Sequence, residues 1–149
     1  MTNLTENNPP KWTRAIAWFT NPRGLNNDKK LCQAVNGKVV LITGASFGIG
    51  EATAQRMAAM GAKVVLVARS ADKLEQVAAA IRAKGGKAFT YSTDLSKPDE
   101  AKKLAEDILR DHGHVDVLIN NAGRSIRRSI SLSVNRFHDF ERTMAINYL

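Results

Sequence analysis

Cysteine is almost missing from this 149-residue sequence, and the single Cys32 excludes an internal disulfide. Cys32 has no metal-ligand company, and His112, His114 and His138 form no recognisable ligand spacing, so no metal site is expected. That cysteine usage suits a reducing cytoplasm. No apolar run reaches the ~18 residues that a membrane-spanning helix needs. The polar start Met1–Asn8 does not read as a signal peptide. A stripe of basic and aromatic residues is also missing, which argues against a nucleic-acid partner although the net charge is +8. Residues 1–36 supply +3 of that charge, from five basic and two acidic residues. The rest is spread over helix faces and the Arg124, Arg127, Arg128 cluster, a pattern that fits solvated faces and an anionic ligand. With 44% hydrophobic and 24% charged residues, the balance is that of one ordinary globular domain.

Residues 1–36 read as an N-terminal extension, and 37–149 as part of a nucleotide-binding domain. In the extension, Trp12, Ile16, Trp18 and Phe19 gather beside Lys11 and Arg14. One reading is a helix or arm packed on the domain or on a partner subunit. The other is a membrane-surface contact through Trp12–Phe19, since tryptophan beside basic residues suits lipid headgroups. Pro22, Gly24 and the Asn26–Lys30 run are expected to break the segment off.

From Gly37 the pattern is regular. Lys38–Thr43 (KVVLIT) and Lys63–Ala68 (KVVLVA) are short β-branched runs without alternation, as in parallel strands covered on both faces. Lys87–Ser92 is a weaker strand and Val115–Asn120 a fourth. Helices are expected from about Ile49 to Met60 and over Ala71–Lys84, with Leu74, Val77, Ala78 and Ile81 on one face. A third is expected over about Pro98–Asp111, capped by Ser96, with Ala101, Leu104, Ala105 and Ile108 inward. A last helix starts near Asn135, with Phe137, Phe140, Met144 and Tyr148 on its apolar side. Strands alternating with helices predict an α/β fold with a doubly wound parallel sheet in the order 3-2-1-4. Such a sheet normally continues, so a chain ending within a helix at Leu149 is expected to be an incomplete domain with its fourth strand as an open edge.

The glycine turn Thr43-Gly44-Ala45-Ser46-Phe47-Gly48-Ile49-Gly50 joins the first strand to the first helix of the regular part. Glycine there lets the backbone approach a pyrophosphate at a helix N-terminus. At the end of the second strand, where an NAD enzyme would place an acid for the ribose, the sequence has Ala68-Arg69-Ser70. A guanidinium holds a 2′-phosphate bidentately, which points to NADP(H).

The G-x-x-x-G-x-G spacing after Thr43 resembles the T-G-x-x-x-G-I-G signature of the short-chain dehydrogenase/reductase family. Asn120-Asn121-Ala122-Gly123 resembles that family's N-N-A-G motif, Asp94-Leu95 its adenine-contacting aspartate, and Asn147 the asparagine of its long central helix. The resemblance implies that Thr43, Gly44, Ser46, Phe47, Gly48, Ile49, Gly50, Arg69, Asp94, Leu95, Asn121, Ala122 and Gly123 serve the cofactor and that Asn147 serves catalysis. It also implies self-association, through helices that include the last one here.

Residues Asn120–Ser129 and Arg136–Met144 further resemble the bacterial NADPH-dependent fatty acyl-CoA reductases of that family, which implies an acyl-CoA substrate. Arg124, Arg127 and Arg128 could attract coenzyme A phosphates, or pair with acids elsewhere in the assembly; the sequence favours neither. Family chemistry uses Asn, Ser, Tyr and Lys. Of the two tyrosines, Tyr91 has Leu95 four positions on and Tyr148 is followed by one residue, so no Tyr-x-x-x-Lys exists. The chain alone is therefore expected to bind cofactor without turnover. The alternative is a non-catalytic nucleotide-binding or interaction module.

Overall fold

The computed structural model describes residues 28–123 and 137–147. The Trp12–Phe19 segment, the Arg124, Arg127, Arg128 cluster and Tyr148 lie outside the described residues. The elements run α1 (Asp28–Val35), β1 (Val39–Thr43), α2 (Gly48–Ala59), β2 (Lys63–Ala68), α3 (Ala71–Ala83), β3 (Lys87–Ser92), α4 (Pro98–His112), β4 (Val117–Ile119) and α5 (Phe137–Asn147).

The strands form one sheet in the order β3-β2-β1-β4, every pair parallel. This is the doubly wound α/β arrangement expected from the two β-branched runs. Those runs lack alternation because both faces of the sheet are covered. Val64 and Leu66 point into one apolar layer with Ala54 of α2 and Leu74, Val77, Ala78 and Ile81 of α3. Val65 and Val67, on the opposite face, pack with Leu104 and Ile108 of α4. All four β2 valines and leucines are fully buried, and each stabilises the fold by roughly 1.5–3 kcal/mol.

Several local expectations need correction. Helix α1 starts at Asp28, inside the run read as a breaker. An acid in the first turn favours a helix start, and Asp28 also takes the Arg56 guanidinium at 2.7 Å. Leu31 and Val35 of this helix pack against the core. Ser96 does not cap α4, whose N-cap position is Lys97 followed by Pro98. Its hydroxyl and its N–H instead donate to the Asp94 carboxylate at 2.7 and 3.1 Å. A charge-assisted bond of that kind outcompetes a neutral cap. Ala105 is exposed, not inward, and β4 is shorter than Val115–Asn120, because only Val117–Ile119 finds partners on β1. Phe137 and Met144 of α5 are exposed, so the apolar side of that helix is not part of the described core.

At the amino end of the sheet, Asp116 accepts the Val39 N–H at 2.8 Å and the Lys38 ammonium at 2.9 Å. The Val39 N–H, then Lys38, hold its carboxyl below the usual aspartate range. At the β3 edge, the Tyr91 hydroxyl donates to Asp111 at 2.8 Å. Burial, then that carboxylate, push the phenol up to about 12. Among the described residues, no helix is long and apolar enough to cross a membrane, and no group of His, Cys, Asp or Glu could hold a metal ion.

Candidate nucleotide site

The chain winds from β1 outward to β3, then returns to place β4 on the other side of β1. Loops diverge at such a reversal, and the space beyond the carboxyl ends of the strands is where open parallel sheets bind ligands. Here a cleft of about 260 Å³ opens at that end. Its walls are the glycine turn, the β2 corner, the loop after β3 and the loop after β4.

The glycine turn is shaped by close backbone approach. Gly44 has φ of +66°, and a Cβ on it would stand 2.9 Å from Ala122 Cα. Gly50, one helical turn on, is tighter: its Cβ would lie 2.2 Å from the Gly44 carbonyl oxygen. Glycine at both positions lets the start of α2 sit directly against the strand end. Ala45 is fully buried and its N–H donates to the Val67 carbonyl at 3.2 Å, which fixes the turn to β2.

Thr43 and Asn121 lock the turn to the loop after β4. The Thr43 hydroxyl accepts the Asn121 and Ala122 N–H groups at 3.0 and 2.9 Å and faces the Ile119 carbonyl at 3.4 Å. The Asn121 side-chain amide donates to the Thr43 and Gly44 carbonyls at 3.1 and 3.2 Å. Thr43 is nearly buried, so replacing its hydroxyl with a methyl leaves two backbone donors without their acceptor. Thr43→Val should therefore lower the unfolding free energy by about 3 kcal/mol, as read from the urea midpoint. Thr43→Ser should stay within about 1 kcal/mol of the parent, since it keeps the acceptor.

The cleft brings together only part of the residues expected from the sequence. Gly44, Ser46 and Phe47 line it from the glycine turn, and Arg69 from the β2 corner. Leu95, Ala122 and Gly123 line it from the other two loops. Gly48 begins α2, whereas Ile49 is 79% exposed and is not among the lining residues. Thr43, Gly50 and Asn121 stand behind the wall as its braces. The Asp94 carboxylate is turned into its own loop, where the Ser96 hydroxyl and N–H hold it below the usual aspartate range. Its neighbours Thr93 and Leu95 face the cleft instead. Asn147 lies beside the cleft, with its Oδ1 3.1 Å from where a Gly123 Cβ would stand.

Sequence reasoning missed Ala68, Ser70, Lys73, Thr93 and Ile146 as lining residues. For Ser70 and Lys73 a signal was present. Ser70 is the N-cap of α3 and Lys73 its third residue, and positions three apart share a helix face. With Arg69 just before them, the three fall at one corner. The lining carries two cations, Arg69 and Lys73, and no carboxylate. Such a cleft can hold an extended anionic ligand with its phosphates at the glycine turn and at the β2 corner.

Comparison with known proteins agrees with this geometry. Residues 38–149 match the family described as short chain dehydrogenase. The chain is 56% identical over 124 residues to an uncharacterized oxidoreductase of Mycobacterium tuberculosis, covering 81% of this chain and 36% of that protein. It is 55% identical over 114 residues to the fatty acyl-CoA reductase of Acinetobacter baylyi, covering 76% of this chain and 39% of that protein. The chain thus spans well under half the length of these curated relatives.

Among solved structures, a metagenomic short-chain oxidoreductase in complex with NADP superposes with a TM-score of 0.70 at 37% identity, over 76% of this chain and 51% of that one. NAD+-bound xylitol dehydrogenase superposes equally well, with a TM-score of 0.70 at 35% identity over 76% of this chain and 43% of that one.

Proposed function

This chain belongs to the short-chain dehydrogenase/reductase family of oxidoreductases, and from that premise we propose that it binds NADP(H) for the reduction of a carbonyl or acyl thioester. The substrate class we favour is a fatty acyl-CoA, reduced to the aldehyde. One relative is named for that reaction. The cofactor choice rests on this chain's own residues, because similar structures hold NADP in one case and NAD+ in another.

The observation that carries the reading is the charge of the cleft: two cations line it and no acid does. A carboxylate at the β2 corner would repel a 2′-phosphate, and an arginine there attracts it. Gly44 and Ser46 lie where the backbone can approach a pyrophosphate, next to the start of α2. Thr93 and Leu95 provide the wall expected around the adenine, and Ala122 and Gly123 the wall that leads toward Asn147. When bound, NADPH supplies the hydride that reaches the thioester carbonyl carbon, and the coenzyme A thiol leaves as the aldehyde forms. Asn147, beside Gly123, is placed to hold a water of the proton relay. The tyrosine and lysine of that relay have no counterpart in this sequence, which lacks Tyr-x-x-x-Lys. Self-association through α5 belongs to the same proposal.

Titration of the chain with NADPH and NADH, followed by nicotinamide fluorescence, tests it. NADPH should bind at least about tenfold more tightly, the factor one charge-assisted contact provides. The same sample mixed with a long-chain acyl-CoA should leave NADPH unoxidised. Equal affinity for the two cofactors would remove the NADP(H) reading, and NADPH consumption would show that this chain suffices for turnover.

A further inference from the structure

We propose that Lys73 is a second cationic arm of this cleft, closing with Arg69 on one adenosine 2′-phosphate, with the Ser70 hydroxyl between them. The proposal rests on the NADP(H) reading and deepens it, making cofactor choice the work of a corner of three residues.

All three side chains belong to the wall of the same cleft. Arg69 follows β2, Ser70 is the N-cap of α3, and Lys73 lies in the first turn of that helix. Positions three apart stack along one face, which sets Lys73 above Ser70. Ser70 is in the residue type and the extended backbone of a helix cap, yet its side chain makes no capping hydrogen bond. Its carbonyl receives the Leu74 N–H at 3.1 Å, and its hydroxyl is left for a ligand.

The charges around the corner are arranged in the same sense. Lys38, Arg56, Arg82, Lys97 and Arg110 each have a carboxylate within 4.0 Å. Arg69 and Lys73 are in no such pair with a described residue. The acids near them are committed elsewhere or face away. Glu75 takes the Arg82 guanidinium at 2.6 Å, Asp94 is held by Ser96 at 2.7 Å, and Asp72 is not in the cleft wall. Two cations sharing a cleft without a counter-charge repel each other, and a phosphate monoester between them removes that penalty. The pyrophosphate common to both dinucleotides belongs at the glycine turn, so the corner is free to select for the extra phosphate. A solvated surface lysine would show none of this selectivity.

The test is calorimetric titration of the full chain with adenosine 2′,5′-bisphosphate and with 5′-AMP, which report the corner without catalysis. Lys73 is exposed, so its replacement leaves the fold intact. The parent should prefer the bisphosphate. Lys73→Met should weaken the bisphosphate about tenfold and leave 5′-AMP unchanged. Lys73→Arg should keep most of the preference. If the parent prefers the bisphosphate and Lys73→Met alters neither ligand, or both equally, the Lys73 role is overturned while the NADP(H) reading stands. If the parent binds both ligands alike, the NADP(H) reading fails and takes this inference with it.

Discussion

Gly50→Val should abolish cooperative folding of the chain or leave it more than about 4 kcal/mol less stable than the parent. The expectation comes from two effects of opposite sign. Gly50 lies in the first turn of α2 with an ordinary negative φ, so adding a side chain there should gain roughly 1 kcal/mol of helix propensity. Against this, the new Cβ would lie 2.2 Å from the Gly44 carbonyl oxygen and 2.6 Å from the Asn121 amide nitrogen. The first of these is backbone, and that oxygen is itself an acceptor of the Asn121 amide. Neither can retreat without opening the lock between the turn and the loop after β4.

Overpacking of this kind costs about 1–3 kcal/mol per added methylene, so alanine should already be net destabilising and valine much more so. Urea denaturation of Gly50→Ala and Gly50→Val measures both. An alanine variant as stable as the parent would mean that α2 can slide away from β1, and the close approach would lose its meaning. The same variants should lose NADPH affinity in step with stability, because the residues that shape the wall are those that hold it together.

The sheet was legible in the sequence for a simple reason. A strand buried on both faces has no room for polar residues, and Val64 to Val67 leave no other reading than a central parallel strand. Amphipathic α3 is equally plain, since Leu74, Val77, Ala78 and Ile81 fall on one stripe and all are buried. Less legible were features that depend on which of two partners a polar group selects. Ser96 has the residue type and place of a helix cap, but the Asp94 carboxylate is within reach and binds its hydroxyl more strongly. Asp28 sits in a run of turn-forming residues, and only the neighbouring Arg56 shows why it starts a helix.

The site divides along the same line. Resemblance pointed to Thr43, Gly50 and Asn121 as cofactor residues, and the geometry makes them the braces behind the wall. A motif identifies residues that act together without saying which of them touch the ligand. Asp94 illustrates this: its carboxylate faces Ser96 while Thr93 and Leu95 on either side face the cleft. Lys73 was missed because it lies on a helix and reads as a solvated charge. Its role follows from position three of a helix whose N-cap is at the same corner, which a strand-by-strand reading does not combine with Arg69.

Arg69→Asp should invert the cofactor preference, changing the ratio of NADPH to NADH affinity by roughly 10²–10³-fold. Loss of a guanidinium–phosphate contact accounts for about 1.5–3 kcal/mol of that, since hydrogen bonds to charged groups are of this size. The rest comes from placing a carboxylate beside a dianionic phosphate, a repulsion that Lys73 offsets only in part. The aspartate can also accept hydrogen bonds from the ribose hydroxyls of NADH, so affinity for that cofactor should rise as the other falls.

Folding should be unaffected. The Arg69 side chain is exposed, and its structural bond uses the backbone carbonyl, which accepts the Ser92 hydroxyl at 3.0 Å whatever the side chain. Fluorescence titration with each cofactor, at low and high salt, separates the possibilities. An electrostatic origin requires the NADPH affinity of the parent to fall with added salt while that of Arg69→Asp changes little or rises. Equal losses for NADPH and NADH would instead place Arg69 against a part that both share, such as the adenine face. The β2 corner would then hold the nucleotide without choosing between its two forms.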